Sequence, residues 1–311
     1  MEKRLKVISI IIWGIIAVTL TGALIFGIAA GGKGNFYKMI VFHSGDRKIQ
    51  QTKEMSLQDA KKINIDFSSD DISIYTTDQD NIKVVQKAYG TLKEEEKFTM
   101  EKNGDTINIK KGGNHLKFFI FGFGNFGSEV EVYIPKKYSD NLSIESSSGD
   151  IIVNDDISLK EASFSQSSGE FKCNSEIKAD KINLEASSGD IDVNSLIGKS
   201  YDINVSSGDI RISSLSGSGD IEASSGDIKV GYKDINDKSN ITATSGDIKV
   251  NMPKELSFMF EGKCTSGDIK SNFDLSYNNK KRNQATAKVG NDPYKQLKID
   301  TSSGDINISL N

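Results

Sequence analysis

Residues 203–230 read INVSSGDIRISSLSGSGDIEASSGDIKV. Ser-Gly-Asp-Ile occurs three times in this stretch, each time entered and left by apolar residues at every second position. A period of two marks a half-buried strand. Glycine supplies the backbone freedom that a bend needs, and Ser and Asp hydrogen-bond nearby main-chain groups. The stretch therefore reads as strand and corner in alternation.

Aligned on the glycine, the corners fall at Gly149, Gly169, Gly189, Gly208, Gly226, Gly246, Gly267 and Gly304. The steps are 20, 20, 19, 18, 20, 21 and 37 residues, and a fixed period of this size marks a solenoid. Two residues after the glycines stand Ile151, Phe171, Ile191, Ile210, Ile228, Ile248, Ile269 and Ile306. Five before stand Ile144, Phe164, Leu184, Ile203, Ile221, Ile241, Gly262 and Ile299. Each rung sends these positions inward, and rungs stacked ~4.8 Å apart line them into apolar ladders. The middle unit of the quoted stretch, at Gly219, reads as a second corner within a shortened rung. The step of 37 reads as two periods with one degenerate turn inside 271–297. "SSDDIS" at 68–73 fits the same register with Asp70 in the glycine place, so the solenoid logic begins before residue 136.

The expected fold is all-β: a single-stranded β-solenoid of ~20-residue rungs over 136–311, after an N-terminal β segment or cap over 61–135. Within the cap, Asn103-Gly104 predicts a tight hairpin turn, and the strand "SEVEVYIP" stops at Pro135. Residues 112–129 carry five phenylalanines among glycines, and read either as an aromatic cover for the open end of the stack or as a loop that touches lipid or a partner. Residues 31–60 read as a tether.

Before the tether, residues 7–30 form an uncharged run of 24, long enough to cross a bilayer as one helix. Lys3, Arg4 and Lys6 in the tip 1–6 place the N-terminus in the cytoplasm and the rest of the chain outside, with the run as an uncleaved signal-anchor.

The net charge of -4 excludes the basic face that nucleic acid requires. His43 and His115 are the only histidines, which disfavours a Ser/His or Cys/His nucleophile. Cys173 and Cys264 fall on inward positions five rungs apart in sequence order, too far for a disulfide. Stacking does place the corner aspartates in one column, with Asp190, Asp209, Asp227 and Asp247 as candidate ligands for a cation such as Ca²⁺. The structural alternative is an unfilled acidic stripe with no cofactor.

The N-terminal span, the strand ending in Pro within "VYIPKKYSDNLSIESSSGDIIV" and the repeated "SSGDI-x-V" resemble a family of bacterial β-strand-repeat proteins of unknown function labelled "putative adhesins", LiaG-like proteins of envelope-stress operons among them. The resemblance covers roughly residues 60–311. It implies a solenoid outside the membrane and transfers no catalytic residue. The functional expectation is a non-enzymatic cell-envelope protein that binds wall polymer, glycan or another envelope protein. The alternatives are an accessory or sensor in an envelope-stress response and, from a different class, a polysaccharide-active enzyme.

Overall fold

The computed structural model describes residues 46–111, 128–278 and 280–311. The apolar run 7–30, both histidines and residues 112–127 of the Phe/Gly-rich stretch lie outside the described residues. Among those described, no helix is long and apolar enough to cross a membrane.

The described chain is a β-solenoid, and its sequence order differs from its spatial order at both ends. At the N-terminal end, β2 (Lys62–Phe67) and β3 (Asp71–Thr77) form one rung, with the 68–70 turn between them. On one side they pair in parallel with β6 (Thr106–Lys111) and β7 (Glu129–Pro135). On the other they pair with β8 (Asn141–Ser146) and β9 (Ile151–Val153). The Asp70 carbonyl lies under Gly149, so Asp70 occupies the glycine place of the corner column.

The outer edges of the rung formed by β6 and β7 are covered. β4 (Asn81–Ala88) runs antiparallel to β7, and β1 (Lys48–Ser56) runs antiparallel to β4. Residues 48–56 are thus a strand of the cap, where the sequence suggested tether; their mixed composition fits an edge that buries little. β5 (Phe98–Asn103) covers β6 as a hairpin in which Asn103 pairs with Thr106. The two loop residues are therefore Gly104 and Asp105, one place later than expected. Gly104 alone takes a positive φ, 63°, as a Gly-first turn requires.

From β10 (Ile157–Ser168) through β11 (Phe171–Ser188), β12 (Ile191–Ser207), β13 (Ile210–Ser225) and β14 (Ile228–Ser245) the chain winds regularly and in parallel. Within β12 the in-out alternation slips at Asn194-Ser195 and at Lys199-Ser200, where two successive residues turn from the core. With the Ser-Gly-Asp corner, these slips divide the rung into three apolar faces, one ending and one beginning at each bend. The corresponding bend of β13 is at Ser218, opposite Ser200. Gly219 itself stands in the inward row, between Tyr201 and Ser239. A Cβ there would meet the Tyr201 ring at 2.7 Å. Without one, Tyr201 spans the rung and its hydroxyl donates to Ser239 Oγ at 2.7 Å, in the core.

The C-terminal end corrects the reading of the 37-residue step. After β15 (Ile248–Met252), Pro253 ends the strand, and β16 (Phe258–Ser266) and β17 (Ile269–Ser271) lie one rung beyond the expected place. β18 (Ser276–Tyr277) and β19 (Gln284–Val289) turn back antiparallel on the outside of β16. β20 (Lys295–Ser303) and β21 (Ile306–Leu310) then fill the vacant rung, pairing with β14 and β15 on one side and with β16 and β17 on the other. The last corners therefore stack in the order Gly246, Gly304, Gly267. Among the described residues no degenerate turn is present; β18, β19 and the segment up to β20 form the cover and the return path.

Inside, the ladders pack as expected. Ile151, Ile191, Ile210, Ile228, Ile248 and Ile306 are fully buried, as are Ile144, Ile203, Ile221, Ile241 and Ile299. Gly262 breaks the second row because Phe260 occupies its space; a Cβ at 262 would lie 2.5 Å from the ring. Cys173 and Cys264 are buried and free.

Candidate functional site

The corner column has a specific chemistry. At the bend the parallel ladder continues through two backbone bonds per rung, for example Gly208 N–H to Ser225 O at 3.0 Å and Ile210 N–H to Asp227 O at 2.9 Å. The N–H between them, on Asp, is directed back to the preceding rung. There the aspartate carboxylate accepts it: Asp209 N–H to Asp190 Oδ1 at 2.9 Å, Asp227 to Asp209 at 2.8 Å, and Asp247 to Asp227 at 2.9 Å. Asp305 continues onto Asp247, and Asp268 onto Asp305, each at 2.8 Å. This bond explains why the residue after glycine is acidic. It requires a short side chain with an oxygen that reaches one strand spacing down.

Glycine is required for a different reason. Gly226 has φ 132°, and a Cβ on it would lie 2.0 Å from the Gly208 carbonyl oxygen.

The structure thus brings the four candidate ligands Asp190, Asp209, Asp227 and Asp247 into one column and engages one oxygen of each with backbone. The like charges have a second partner. Two residues after the acidic position stand Lys172, Arg211, Lys229, Lys249 and Lys270, cations beside the acidic column, with Asp192 between Lys172 and Arg211 and Asn307 between Lys249 and Lys270. Arg211 bridges Asp190 and Asp209, and Lys270 reaches Asp305 at 3.1 Å. Asp190 is held below the usual carboxylate range by the Asp209 N–H and then by Arg211. Asp305 is lowered by the Asp268 N–H and Lys270. Among the described residues, no group of three or more His, Cys, Asp or Glu is placed to hold a metal ion.

Other ionisable groups are structural. Asp70 is fully buried and paired with Lys111 at 2.9 Å; burial pushes its carboxyl pKa up against the pull of Lys111. Arg47 joins β3 and β7 through Asp71 and Glu129, each at 3.2 Å, and so fixes where the chain enters the cap. Burial pushes the Cys173 thiol up to about 11, which keeps it protonated and a poor nucleophile.

The wall that leads into the corners carries a series of clefts. Its outward middle row, six residues before each glycine, reads Ser143, Ser163, Asn183, Asp202, Asp220 and Asn240, and then Lys298 and Glu261. Register pairs each with the next along the stack, and extends the row back through Asn64 to Asn108. Short polar side chains in this row lie between longer ones, and the wall is hollowed. Three clefts of about 320, 440 and 610 Å³ open along it, around Asn64 and Asn108, around Ser163 and Asn183, and around Lys298 and Glu261. Sequence reasoning singled out the conspicuous corner and missed this row. Alignment at the position six before glycine carries the signal.

The chain matches the family Toastrack DUF4097 over residues 60–309. It belongs to that family. Among solved structures it is similar to a "putative adhesin" from Bacteroides fragilis NCTC 9343, at 10% identity over 84% of this chain and 98% of that one, with a TM-score of 0.44. It is also similar to a "putative lipid binding protein" from Parabacteroides distasonis ATCC 8503, at 14% identity over 85% and 97%, with a TM-score of 0.46. A "putative cell adhesion protein" from Clostridium sporogenes ATCC 15579 aligns at 17% identity over 86% and 100%, with a TM-score of 0.25. No curated protein matches the sequence. The DUF4097 family carries a β-solenoid here, and these neighbours are described as adhesion or binding proteins.

Proposed function

We propose that this Toastrack chain is a membrane-anchored, extracytoplasmic binding module of the cell envelope that performs no chemistry of its own. The observation that carries the reading is the outward wall before the corners. One polar row runs unbroken from Asn108 to Glu261 over ten rungs, a span of about 43 Å at ~4.8 Å per rung. A surface of this kind offers many weak, repeated contacts to an extended partner. The ionisable groups, in contrast, are engaged in holding rungs together, and repeated corners gather no catalytic set.

The anchor rests on the uncharged run 7–30 and the cations before it. Within the solenoid, Arg47 pairs with Asp71 of β3 and Glu129 of β7. Ca²⁺ is not needed for this reading, because Asp190, Asp209, Asp227 and Asp247 each accept the next rung's N–H.

The test is retention of the full chain, in detergent micelles, on purified cell-wall sacculi. Retention that survives 0.5 M salt supports the reading. Failure to bind sacculi, together with release of the chain from membranes by carbonate washing, overturns both the binding role and the anchor.

A further inference from the structure

We propose that the hollowed wall binds a neutral, linear, β-linked glycan laid parallel to the solenoid axis, about one sugar per rung. This rests on the envelope-binding reading and names its ligand class.

Three observations on this wall select that occupant. The first is spacing. Equivalent side chains repeat every ~4.8 Å along the stack, close to the advance of one pyranose in an extended β-1,4-linked chain. Successive sugars of such a chain are turned over, so it presents the same hydroxyls to every second rung. A polypeptide added along the axis would run across the strands and could make no ladder bonds to them.

The second is chemistry. The row offers hydroxyls and amides, Ser143, Ser163, Asn183 and Asn240 among them, which both donate and accept and so match sugar hydroxyls and acetamido groups. Asn64, Ser143, Ser163, Asn183 and Asn240 are half-buried, so contacts to them are made in a cleft, while Asp202 and Asp220 are exposed.

The third is charge. One rim carries Lys62, Lys181 and Lys238 with Glu161 among them, and the opposite rim Glu145, Glu185 and Glu222 with Lys110 and Lys263 towards its ends. Asp202 and Asp220 lie on the floor between them. Such a wall repels a polyanion along its acidic side and gains nothing from a polycation along its basic side. An uncharged polymer meets donors on one edge and acceptors on the other.

The experiment uses the full chain in detergent micelles, passed over chitin and cellulose beads as neutral β-linked probes, with cross-linked polygalacturonate as the anionic one. The expected result is retention on a neutral bead and none on the anionic bead. Ser163→Arg combined with Asn183→Arg fills the cleft and lowers retention at least tenfold. Ser158→Arg, on the third face, leaves it unchanged. Far-UV circular dichroism and the melting temperature check that both variants fold; Ser143→Arg replaces the double variant if that fails. Absence of retention on either neutral bead overturns the proposal, as does retention indifferent to the cleft variants or stronger on the anionic bead. The same variants on sacculi separate the two readings. Binding to sacculi that ignores the cleft variants leaves the envelope role standing and removes the glycan from this wall.

Discussion

Replacing Gly226 by alanine tests whether the corner column, rather than the apolar core alone, sets the rung spacing. The added Cβ would lie 2.0 Å from Gly208 O, 2.6 Å from Gly208 C and 3.1 Å from Asp209 Oδ1. Ordinary contact needs more than an ångström of further separation from that carbonyl, and the obstructing atoms are backbone, which no rotamer change can move. Opening the corner by that amount breaks Gly208 N–H to Ser225 O, Ile210 N–H to Asp227 O and Asp227 N–H to Asp209 Oδ1. At about 1 kcal/mol each these bonds sum to ~3 kcal/mol. The φ of 132° adds about 1–2 kcal/mol for any residue with a Cβ. The expected loss is therefore about 4–5 kcal/mol. Gly104 supplies the control: φ is 63°, and nothing lies within 4 Å of its Cβ position. Gly104→Ala should cost only the backbone share, ~1 kcal/mol. Urea unfolding followed by far-UV circular dichroism compares the two, and hydrogen exchange at the Asp227 and Ile210 amides localises the opening. Equal midpoints for the two variants, or unchanged protection at Asp227, would refute the argument.

Three further outcomes follow from the same column and its first rung. Glu170 accepts no bond from the next rung's Asp190 N–H among the described contacts, while its own N–H reaches Asp150 Oδ1 at 2.8 Å; Glu170→Asp completes the ladder and should raise stability by about 0.5–1.5 kcal/mol in urea titration, and a loss counts against the ladder. Asp190 has a folded-state pKa below its unfolded value, so its contribution is complete above about pH 4 and is lost as pH falls through the lowered value; in acid titrations followed by circular dichroism Asp190→Asn should lower stability at neutral pH and flatten its fall in that acid window, and a change in the slope of stability against pH between about pH 7 and 8 contradicts the assignment. Lys111→Met leaves the buried Asp70 carboxylate without its partner and should cost about 3–5 kcal/mol at pH 7, most of it returned by adding Asp70→Asn; a double variant as unstable as the single one refutes the charge argument.

The apolar ladders and the corner glycines were legible because they obey local rules. A residue two after glycine must face inward whatever rung lies next to it, and Ile228 and Ile306 are equally buried in consequence. The aspartate's purpose was not legible in the same way. A column of like charges invites a metal, and only the register shows that the corner Asp carboxylates meet the next rung's N–H and that Arg211 and Lys270 reach them from two residues on. Tether and cap were misjudged at 48–56 because an edge strand with one paired side needs no clean alternation; Ile49 remains 64% exposed there.

The order of the last rungs was hidden for a deeper reason. Each rung presents the same donors and acceptors on its two edges, so the Gly246 corner can accept either the Gly304 rung or the Gly267 rung with identical backbone bonds. Local sequence cannot distinguish them. The choice is made by the segment between: Pro253 ends the strand after Gly246, Phe258 and Phe260 carry bulk suited to an end, and 276–289 supplies an antiparallel cover that only the outermost rung can take. The interior position then falls to β20, whose Leu297 and Ile299 continue both neighbouring rows. The same interchangeability explains how the polar row survives the reordering, since Lys298 lies between Asn240 and Glu261 in space although it follows both in sequence. A binding surface on such a fold is therefore a property of the stack, and has to be read across rungs in their spatial order.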